Sequence, residues 1–294
     1  MPIRPGWSIP IGQRHEAGAR MSEYQDWIGR DECRSDIVSD RLIDQFRATL
    51  PEIVTADPVP LGVFWALAPD TLPPLQLGRD GHARLGQFLP QFPLTRRMWA
   101  GGEVVFTGAL HPGDVVEKDS RIERIAPKTG STGALIFVSV RNRYRVSGVE
   151  RISERQDLVY RAEPVPGAAE PDYPAAPDLG EPLATQDLAS DPVRLFRFSA
   201  MTFNGHRIHY DADYARTVEG YAGLVVHGPM QAVAMLNLAA KVLGACPAVF
   251  TYRGLSPLIC GETARVEAYG QDNGLTLRVV KPGGAVTMAG SASL

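Results

Sequence analysis

The chain has 294 residues, a formal net charge of −3 and a hydrophobic fraction of 44%, enough for one large folded unit or two ordinary ones. It contains neither a basic run typical of nucleic-acid binding nor an apolar run of the ~20 residues that span a membrane, so both partner classes are excluded. Its three cysteines, Cys33, Cys246 and Cys260, are widely spaced and odd in number, which argues against a disulfide framework or a zinc site and favours the reducing cytoplasm.

The chain begins with an extension and an amphipathic segment. Residues 1–21 combine prolines with polar residues and lack apolar periodicity, so we expect a disordered extension. Residues 40–50 place Leu42, Phe46 and Leu50 on one face, which predicts a helix that covers a sheet.

A buried helix and a sheet are predicted next. The run from Pro60 to Ala68 is almost wholly apolar, which predicts a first buried helix. Ile136, Val138 and Val140 alternate with other residues, which predicts a strand, and Ser147-Gly148 predicts the turn into the following strand.

A proline-rich segment divides the chain. Seven prolines occur from Pro164 to Pro192 inclusive, and proline fixes φ and removes a hydrogen-bond donor, so residues 161–184 are predicted to form an extended linker. The linker separates an N-terminal unit, residues 22–160, from a C-terminal unit, residues 185–294.

The two units resemble each other. The corners Leu110–Val115 and Leu258–Thr263 are 148 positions apart, and each has a glycine followed by an acidic residue. Pro229–Leu243 is apolar on nearly every side, which predicts a second buried helix that ends at Gly244. Asp272-Asn273-Gly274 predicts a hairpin. A buried helix enclosed by an antiparallel sheet, occurring twice, predicts an α+β fold of the double hot-dog type.

A polar cluster carries the chemistry. Asn204 and His209 stand five positions apart, and Val226-His227-Gly228 follows at the predicted start of the second buried helix. The N–H groups at a helix N-terminus stabilise negative charge that develops on a carbonyl oxygen. The pattern therefore suits a reaction that builds negative charge on a carbonyl oxygen.

These residues resemble the MaoC-type R-specific enoyl-thioester hydratases and dehydratases. The resemblance is greater to the subgroup with two hot-dog units, which includes mesaconyl-C4-CoA hydratase, itaconyl-CoA hydratase and the mitochondrial-type 3-hydroxyacyl-thioester dehydratase. Pro93–Gly102 in the N-terminal unit fits that subgroup too. The resemblance implies a lyase that reversibly hydrates a short enoyl-CoA, without a metal or another cofactor, and favours a branched dicarboxylic substrate such as mesaconyl-C4-CoA or itaconyl-CoA.

The resemblance also implies catalytic roles. His209 is the expected general base, and the Gly228 N–H is the expected donor to the enolate. Simpler members of the family have Asp where Asn204 stands, and because an amide cannot transfer a proton, we expect Asn204 to orient water or hold a carbonyl. The acid role stays open among Asp211, His206 and His209 acting through water.

Further side chains are candidates for substrate binding, namely His206, Arg207, Tyr210, Val226, His227, Arg96 and Arg97. Structural roles are equally open for the arginines and for His206, and His227 is favoured as a core residue. His15, His82 and His111 lack a motif and are expected to face solvent. No metal site is expected, because no cysteine or third histidine stands near His206 and His209 at ligand spacing.

Other functions stay open. The main alternative is a general R-specific 3-hydroxyacyl-thioester dehydratase that acts on CoA or acyl-carrier protein, and another is a non-catalytic thioester-binding protein. A thioesterase would leave the hydratase motif unexplained. We expect one active site per chain, supplied by the C-terminal unit, with the N-terminal unit as a degenerate partner that shapes the pocket. The sequence leaves open whether two chains form a homodimer.

Overall fold

A computed structural model of the chain describes residues 23–130, 133–163 and 173–294. The predicted extension lies outside the described residues, as does the stretch 164–172 of the predicted linker. No helix within the described ranges is long and apolar enough to cross a membrane.

Ten strands and four α-helices form the described part of the chain. The first half contains β1 (Asp31–Ile37), α1 (Asp40–Thr49), β2 (Arg96–Phe106), β3 (Val115–Gly130), β4 (Gly133–Val146) and β5 (Val149–Arg161). The second half contains β6 (Ala184–Leu188), α2 (Pro192–Met201), α3 (Ala212–Thr217), α4 (Gly228–Leu243), β7 (Val249–Gly254), β8 (Ala264–Gln271), β9 (Gly274–Val280) and β10 (Val286–Ser293). Short 3₁₀ turns occur at Gln25–Trp27, Val63–Ala66, Pro74–Gln76 and Arg207–His209.

All ten strands belong to one antiparallel sheet with the order β1-β3-β4-β5-β2-β7-β10-β9-β8-β6. The two halves meet where β2 pairs with β7, with Gly101 opposite Arg253 and Val105 opposite Val249. The predicted hairpin between β8 and β9 is confirmed, and so is the turn at Ser147, whose φ of 50° is left-handed. One continuous sheet therefore carries both halves.

Helix α4 is the buried helix that the sequence predicts for the second half. Pro229 occupies its first turn, and Gly244 ends it in the left-handed conformation with a φ of 73°. Its central residues are buried, and it packs against β6, β8, β9 and β10. The apolar sequence on every side is explained by this enclosure.

The predicted first-half helix over Pro60–Ala68 is wrong. Only Val63–Ala66 forms a 3₁₀ turn, because Gly62 precedes it with a φ of 97° and Ala68 follows it with a φ of 48°. Left-handed residues at both ends interrupt the backbone geometry of an α-helix. A Cβ atom on Gly62 would lie 2.6 Å from Val233 of α4, so the turn packs closely against the second-half helix.

The internal repeat is visible in the local hydrogen bonds. The Asp114 carboxylate accepts the His111 N–H at 2.7 Å, and 148 positions later the Glu262 carboxylate accepts the Ile259 N–H at 2.9 Å. Helices α1 and α2 start and end 152 positions apart and have side-chain N-caps, Ser39 and Asp191 respectively. The two halves therefore share one local plan that differs chiefly at the buried helix.

Candidate active site

A cavity of about 1660 Å³ lies between the halves and is lined by both. Because the first half has no long buried helix, side chains of β3, β4 and β5 reach the cavity, including Lys118, Asn142 and Glu154. The second half supplies the loop after α2 and the start of α4. The cavity thus joins the predicted motif to a surface from the other half.

The loop after α2 positions Asn204. Phe203 has a left-handed φ of 50°, and the Asn204 N–H donates to the Ser199 carbonyl at 2.8 Å. The Asn204 side-chain oxygen accepts the His206 N–H at 3.0 Å and thereby holds the turn. Asn204 lines the cavity, and because its oxygen is engaged with His206, its side-chain NH₂ is the group left to donate a hydrogen bond.

His209 is held in the form required of a base. Its Nδ1 lies 2.7 Å from the Val225 carbonyl oxygen, so Nδ1 carries the proton and Nε2 is free to accept one. Burial, only partly offset by the hydrogen bond to Val225, lowers the pKa of His209 to about 4. The imidazole that lines the cavity is therefore neutral at pH 7.

His227 supports His209 instead of contacting the cavity. Its side chain is fully buried, and its ring stacks on that of His209 with centroids 3.6 Å apart. Its Nε2 lies 2.8 Å from the Ser199 hydroxyl. The substrate-binding role suggested for His227 is therefore corrected to packing against His209 in the core.

The start of α4 faces the cavity through Val226 and Gly228. A Cβ atom at Gly228 would lie 2.6 Å from the Trp99 ring, so the close packing requires glycine. The first N–H groups of a helix have no partner within it, and they carry partial positive charge. This backbone can therefore stabilise an oxyanion.

Arg207 and Asp211 are engaged with each other. The guanidinium donates to the Asp211 carboxylate at 2.7 and 3.1 Å, and its carbon lies 4.2 Å from the Tyr214 ring centroid. Asp211 also caps α3 by accepting the Tyr214 N–H at 3.0 Å. Neither residue is among the described residues that line the cavity, so the predicted catalytic role of Asp211 and substrate contact of Arg207 are corrected to scaffold roles.

Of the two arginines of β2 that line the cavity, one forms an ion pair with an acidic side chain and the other does not. Arg96 is mostly buried, and its Nε lies 2.8 Å from the Glu219 carboxylate, which neutralises it. Burial raises the pKa of Glu219, and Arg96 opposes that rise. Arg97 also lines the cavity, and no acidic side chain in the described ranges forms an ion pair with it. Arg97 is therefore the stronger candidate for an anionic substrate group.

His82 faces the cavity, contrary to the expectation that it faces solvent. Its Nδ1 lies 2.8 Å from the Asp80 carboxylate, and its ring centroid lies 4.2 Å from that of His206. The ring of His206 in turn lies 5.4 Å from that of His209. The first half therefore contributes this Asp–His pair to the cavity, and the expectation that the second half supplies the catalytic residues stays a prediction. The expectation for His111 is confirmed, because its side chain is 67% exposed.

Asp80, His82 and His206 also offer ligand atoms within 4.8 Å of one another, a donor set that could hold a metal ion. Sequence spacing gave no signal for this cluster, because Asp80 and His206 are far apart in the chain. A local signal was the Gly78-Arg79-Asp80-Gly81 turn, where glycines flank a carboxylate.

Polar side chains of the first half form another part of the cavity wall. The Glu154 carboxylate, 1% exposed, accepts hydrogen bonds from Trp65 at 2.7 Å, Tyr252 at 2.8 Å and Asn142 at 2.9 Å. In the motif loop, the Tyr210 hydroxyl donates to the Gly205 carbonyl at 2.9 Å. The cavity is thus polar on both sides.

Comparison with known proteins bears on this site. The model of the family "Hydroxyacyl-thioester dehydratase type 2" matches residues 63–260. The chain is 36% identical over 279 residues to the mesaconyl-C(4)-CoA hydratase of Chloroflexus aurantiacus, covering 93% of this chain and 98% of that one. It is also 36% identical over 78 residues, 26% of each chain, to the mitochondrial hydroxyacyl-thioester dehydratase type 2 of Schizosaccharomyces pombe.

Solved structures share the fold at low sequence identity. HtdX of Mycobacterium tuberculosis matches with a TM-score of 0.64 and 15% identity over 90% of this chain and all of that one. A MaoC-like dehydratase matches with a TM-score of 0.68 and 11% identity over 90% and 98% of the two chains. A further Mycobacterium tuberculosis protein, described as a double hotdog fold, matches with a TM-score of 0.51 and 12% identity over 90% and 96%. The predicted α+β double hot-dog fold is thereby confirmed.

Proposed function

Because the chain belongs to the hydroxyacyl-thioester dehydratase type 2 family, we propose that it is a hydro-lyase that reversibly hydrates an enoyl-CoA thioester. The observation that carries the proposal is the pairing of a neutral His209, whose Nε2 is free, with the N-terminus of α4 at one cavity. Hydration requires a base for water and a donor for the enolate oxygen, and these two groups supply both.

The proposed reaction begins with water held by Asn204. His209 removes a proton from that water as its oxygen bonds to C3, and the electron pair of the C2=C3 bond moves toward the thioester carbonyl. The resulting enolate accepts a hydrogen bond from the Gly228 N–H, where the helix dipole adds favourable charge. Protonation of C2 completes the hydration, and the reverse sequence dehydrates the 3-hydroxyacyl thioester.

The proposed acyl group is a short branched dicarboxylate such as the mesaconyl-C4 or itaconyl group. Arg97 supports this choice, because it is half-buried at the cavity and forms no ion pair with an acidic side chain of the described residues, so its guanidinium can pair with a substrate carboxylate. Arg96 and Arg207 give weaker support, because Glu219 and Asp211 already neutralise them. The similarity to a mesaconyl-C(4)-CoA hydratase is consistent with this choice.

A substrate panel tests the proposal. Loss of enoyl absorbance is followed with mesaconyl-C4-CoA, itaconyl-CoA and crotonyl-CoA, and the dicarboxylic thioesters should react fastest. Comparable turnover of crotonyl-CoA would favour the general dehydratase, while binding without turnover would favour the non-catalytic reading. Release of free CoA thiol would indicate a thioesterase.

The variants Arg97→Met and Arg207→Met separate the arginines on the same panel. Arg97→Met should reduce kcat/KM for the dicarboxylic thioesters by roughly tenfold to a hundredfold, which is the effect of losing a hydrogen bond to a charged group. The kcat/KM for crotonyl-CoA should stay unchanged. Arg207→Met is the control, because its guanidinium is already occupied by Asp211. Equal losses on all thioesters would place Arg97 in CoA binding.

Two further predictions concern the cellular location and the oligomeric state of the protein. The three cysteines are unpaired, which supports the cytoplasmic location expected from their spacing. A homodimer stays a prediction.

A further inference from the structure

We propose that the Asp80–His82 pair, contributed by the first half, is the acid–base group for the substrate C2 proton, while His209 handles water at C3. This inference rests on the proposed hydratase function and names the group that protonates C2. It concerns a residue pair that lies more than 120 positions before the motif in the chain.

The loop that carries the pair is fixed to the motif. The Arg207 N–H donates to the Asp80 carbonyl at 2.9 Å, and the Arg207 guanidinium donates to the Arg79 carbonyl at 3.2 Å. Gly81 has a φ of 91°, and a Cβ atom there would lie 1.9 Å from the Gly205 carbonyl oxygen. The backbones therefore touch, and the position of His82 is set by the motif itself.

His82 has the geometry of a carboxylate-supported base. Its Nδ1–H donates to Asp80 at 2.8 Å, its own N–H donates to the other carboxylate oxygen at 3.2 Å, and Nε2 is left as an acceptor. Once it accepts a proton, the Asp80 carboxylate stabilises the imidazolium.

The other titratable groups near the base are committed elsewhere. His227 is packed behind His209, Asp211 pairs with Arg207, and Glu219 pairs with Arg96. His206 lines the cavity, but its nearest ring neighbours are other imidazoles, and burial holds its pKa well below the usual range. His82 is thus the cavity imidazole with a carboxylate behind it.

The proton count balances with all imidazoles neutral at the start. In hydration, His209 takes a proton from water while the hydroxyl bonds to C3, which gives an imidazolium and an enolate. The proton passes to His82 through His206, whose ring centroid lies 5.4 Å from that of His209 and 4.2 Å from that of His82. His82 then donates that proton to C2, which collapses the enolate and returns every ring to its neutral form.

The test measures C2–H exchange in D₂O separately from dehydration, with 3-hydroxybutyryl-CoA as the probe and mass spectrometry as the readout. His209→Gln should lower dehydration by roughly 10²–10⁴ and keep exchange, because His82 still removes the C2 proton. His82→Gln should lower both by a similar factor. His111→Gln is the matched control, since His111 also lies beside a carboxylate, Asp114, but is exposed outside the cavity.

Exchange at the wild-type rate in His82→Gln would overturn the inference, as would loss of exchange in both His82→Gln and His209→Gln. If His82→Gln does not fold, Asp80→Asn replaces it, and reduced exchange with an unchanged melting temperature is the expected result. Activity lost on EDTA dialysis and restored by Zn²⁺ would instead assign Asp80, His82 and His206 to a metal. A wild type that turns over neither this probe nor any thioester of the substrate panel would refute the proposed function itself.

Discussion

Replacing Gly81 with alanine should uncouple the first half from the active site. Alanine at a φ of 91° costs about 1–2 kcal/mol on backbone grounds alone. The added Cβ would also lie 1.9 Å from the Gly205 carbonyl oxygen and 2.7 Å from its carbon, so the two backbones must separate by more than 1 Å. A displacement of that size at a catalytic group lowers a rate by roughly 10².

Gly113 provides the matched control. It has a φ of 89°, but a Cβ atom there meets nothing within 4 Å, so Gly113→Ala carries the backbone cost without the collision. Both variants should lose stability in urea denaturation, whereas only Gly81→Ala should lose about a hundredfold in kcat/KM for hydration. Equal kcat/KM in the two variants would refute the reasoning, because the Gly81–Gly205 contact would then have no bearing on catalysis.

Two further predictions concern stability. Because His209 has a pKa of about 4 when folded and 6.5 ordinarily, the unfolded chain binds more protons as pH falls from 6.5 toward 4, and the contribution of His209 to stability should fall by about 2 kcal/mol by pH 5. Urea denaturation of His209→Gln should show a correspondingly flatter pH dependence, and parallel curves would contradict this account. Glu154→Leu removes the carboxylate that accepts hydrogen bonds from three side chains, and it should lower the free energy of unfolding by about 3 kcal/mol or more. The control, Glu103→Leu, loses only a 3.8 Å ion pair with Arg155 and should lower it by under about 1 kcal/mol. Similar losses in the two variants would refute the stabilising role of the Glu154 hydrogen bonds.

Local sequence signals predicted those parts of the fold that depend on local forces. The alternation at Ile136, Val138 and Val140 gave a strand because it matches the period of an extended chain. The span of α4 followed from Pro229 and Gly244, which suit the two ends of a helix. The prediction of a helix over Pro60–Ala68 failed because the apolar residues show only that the segment is buried. Left-handed residues at Gly62 and Ala68 prevent an α-helix there, and the apolar composition gives no sign of them.

The candidate site was predictable only within one segment. Asn204, His209 and Gly228 stand in a compact motif, and the structure brings all three to the cavity. The sequence did not predict the partner of Arg207, because an arginine four residues before Asp211 is equally suited to contact a substrate or to form an i,i+4 ion pair. His82 was missed because its environment is created by a loop from the other half.

The departure of the first half from the repeat explains why the site needs both halves. At the 152-position offset of the helices, Glu52 corresponds to Asn204 and Asp57 to His209. These counterparts have structural partners: Glu52 forms an ion pair with Arg194 of α2, and Asp57 accepts the Thr55 hydroxyl.

The first half therefore lacks a catalytic motif of its own, and its short 3₁₀ turn leaves the faces of β3 to β5 open to the cavity. The chain that follows that turn crosses to the other half, where Asp80 and His82 meet the motif loop. A second-half fragment would keep His209 but lack both the opposite cavity wall and the Asp80–His82 pair, so it cannot reproduce the site.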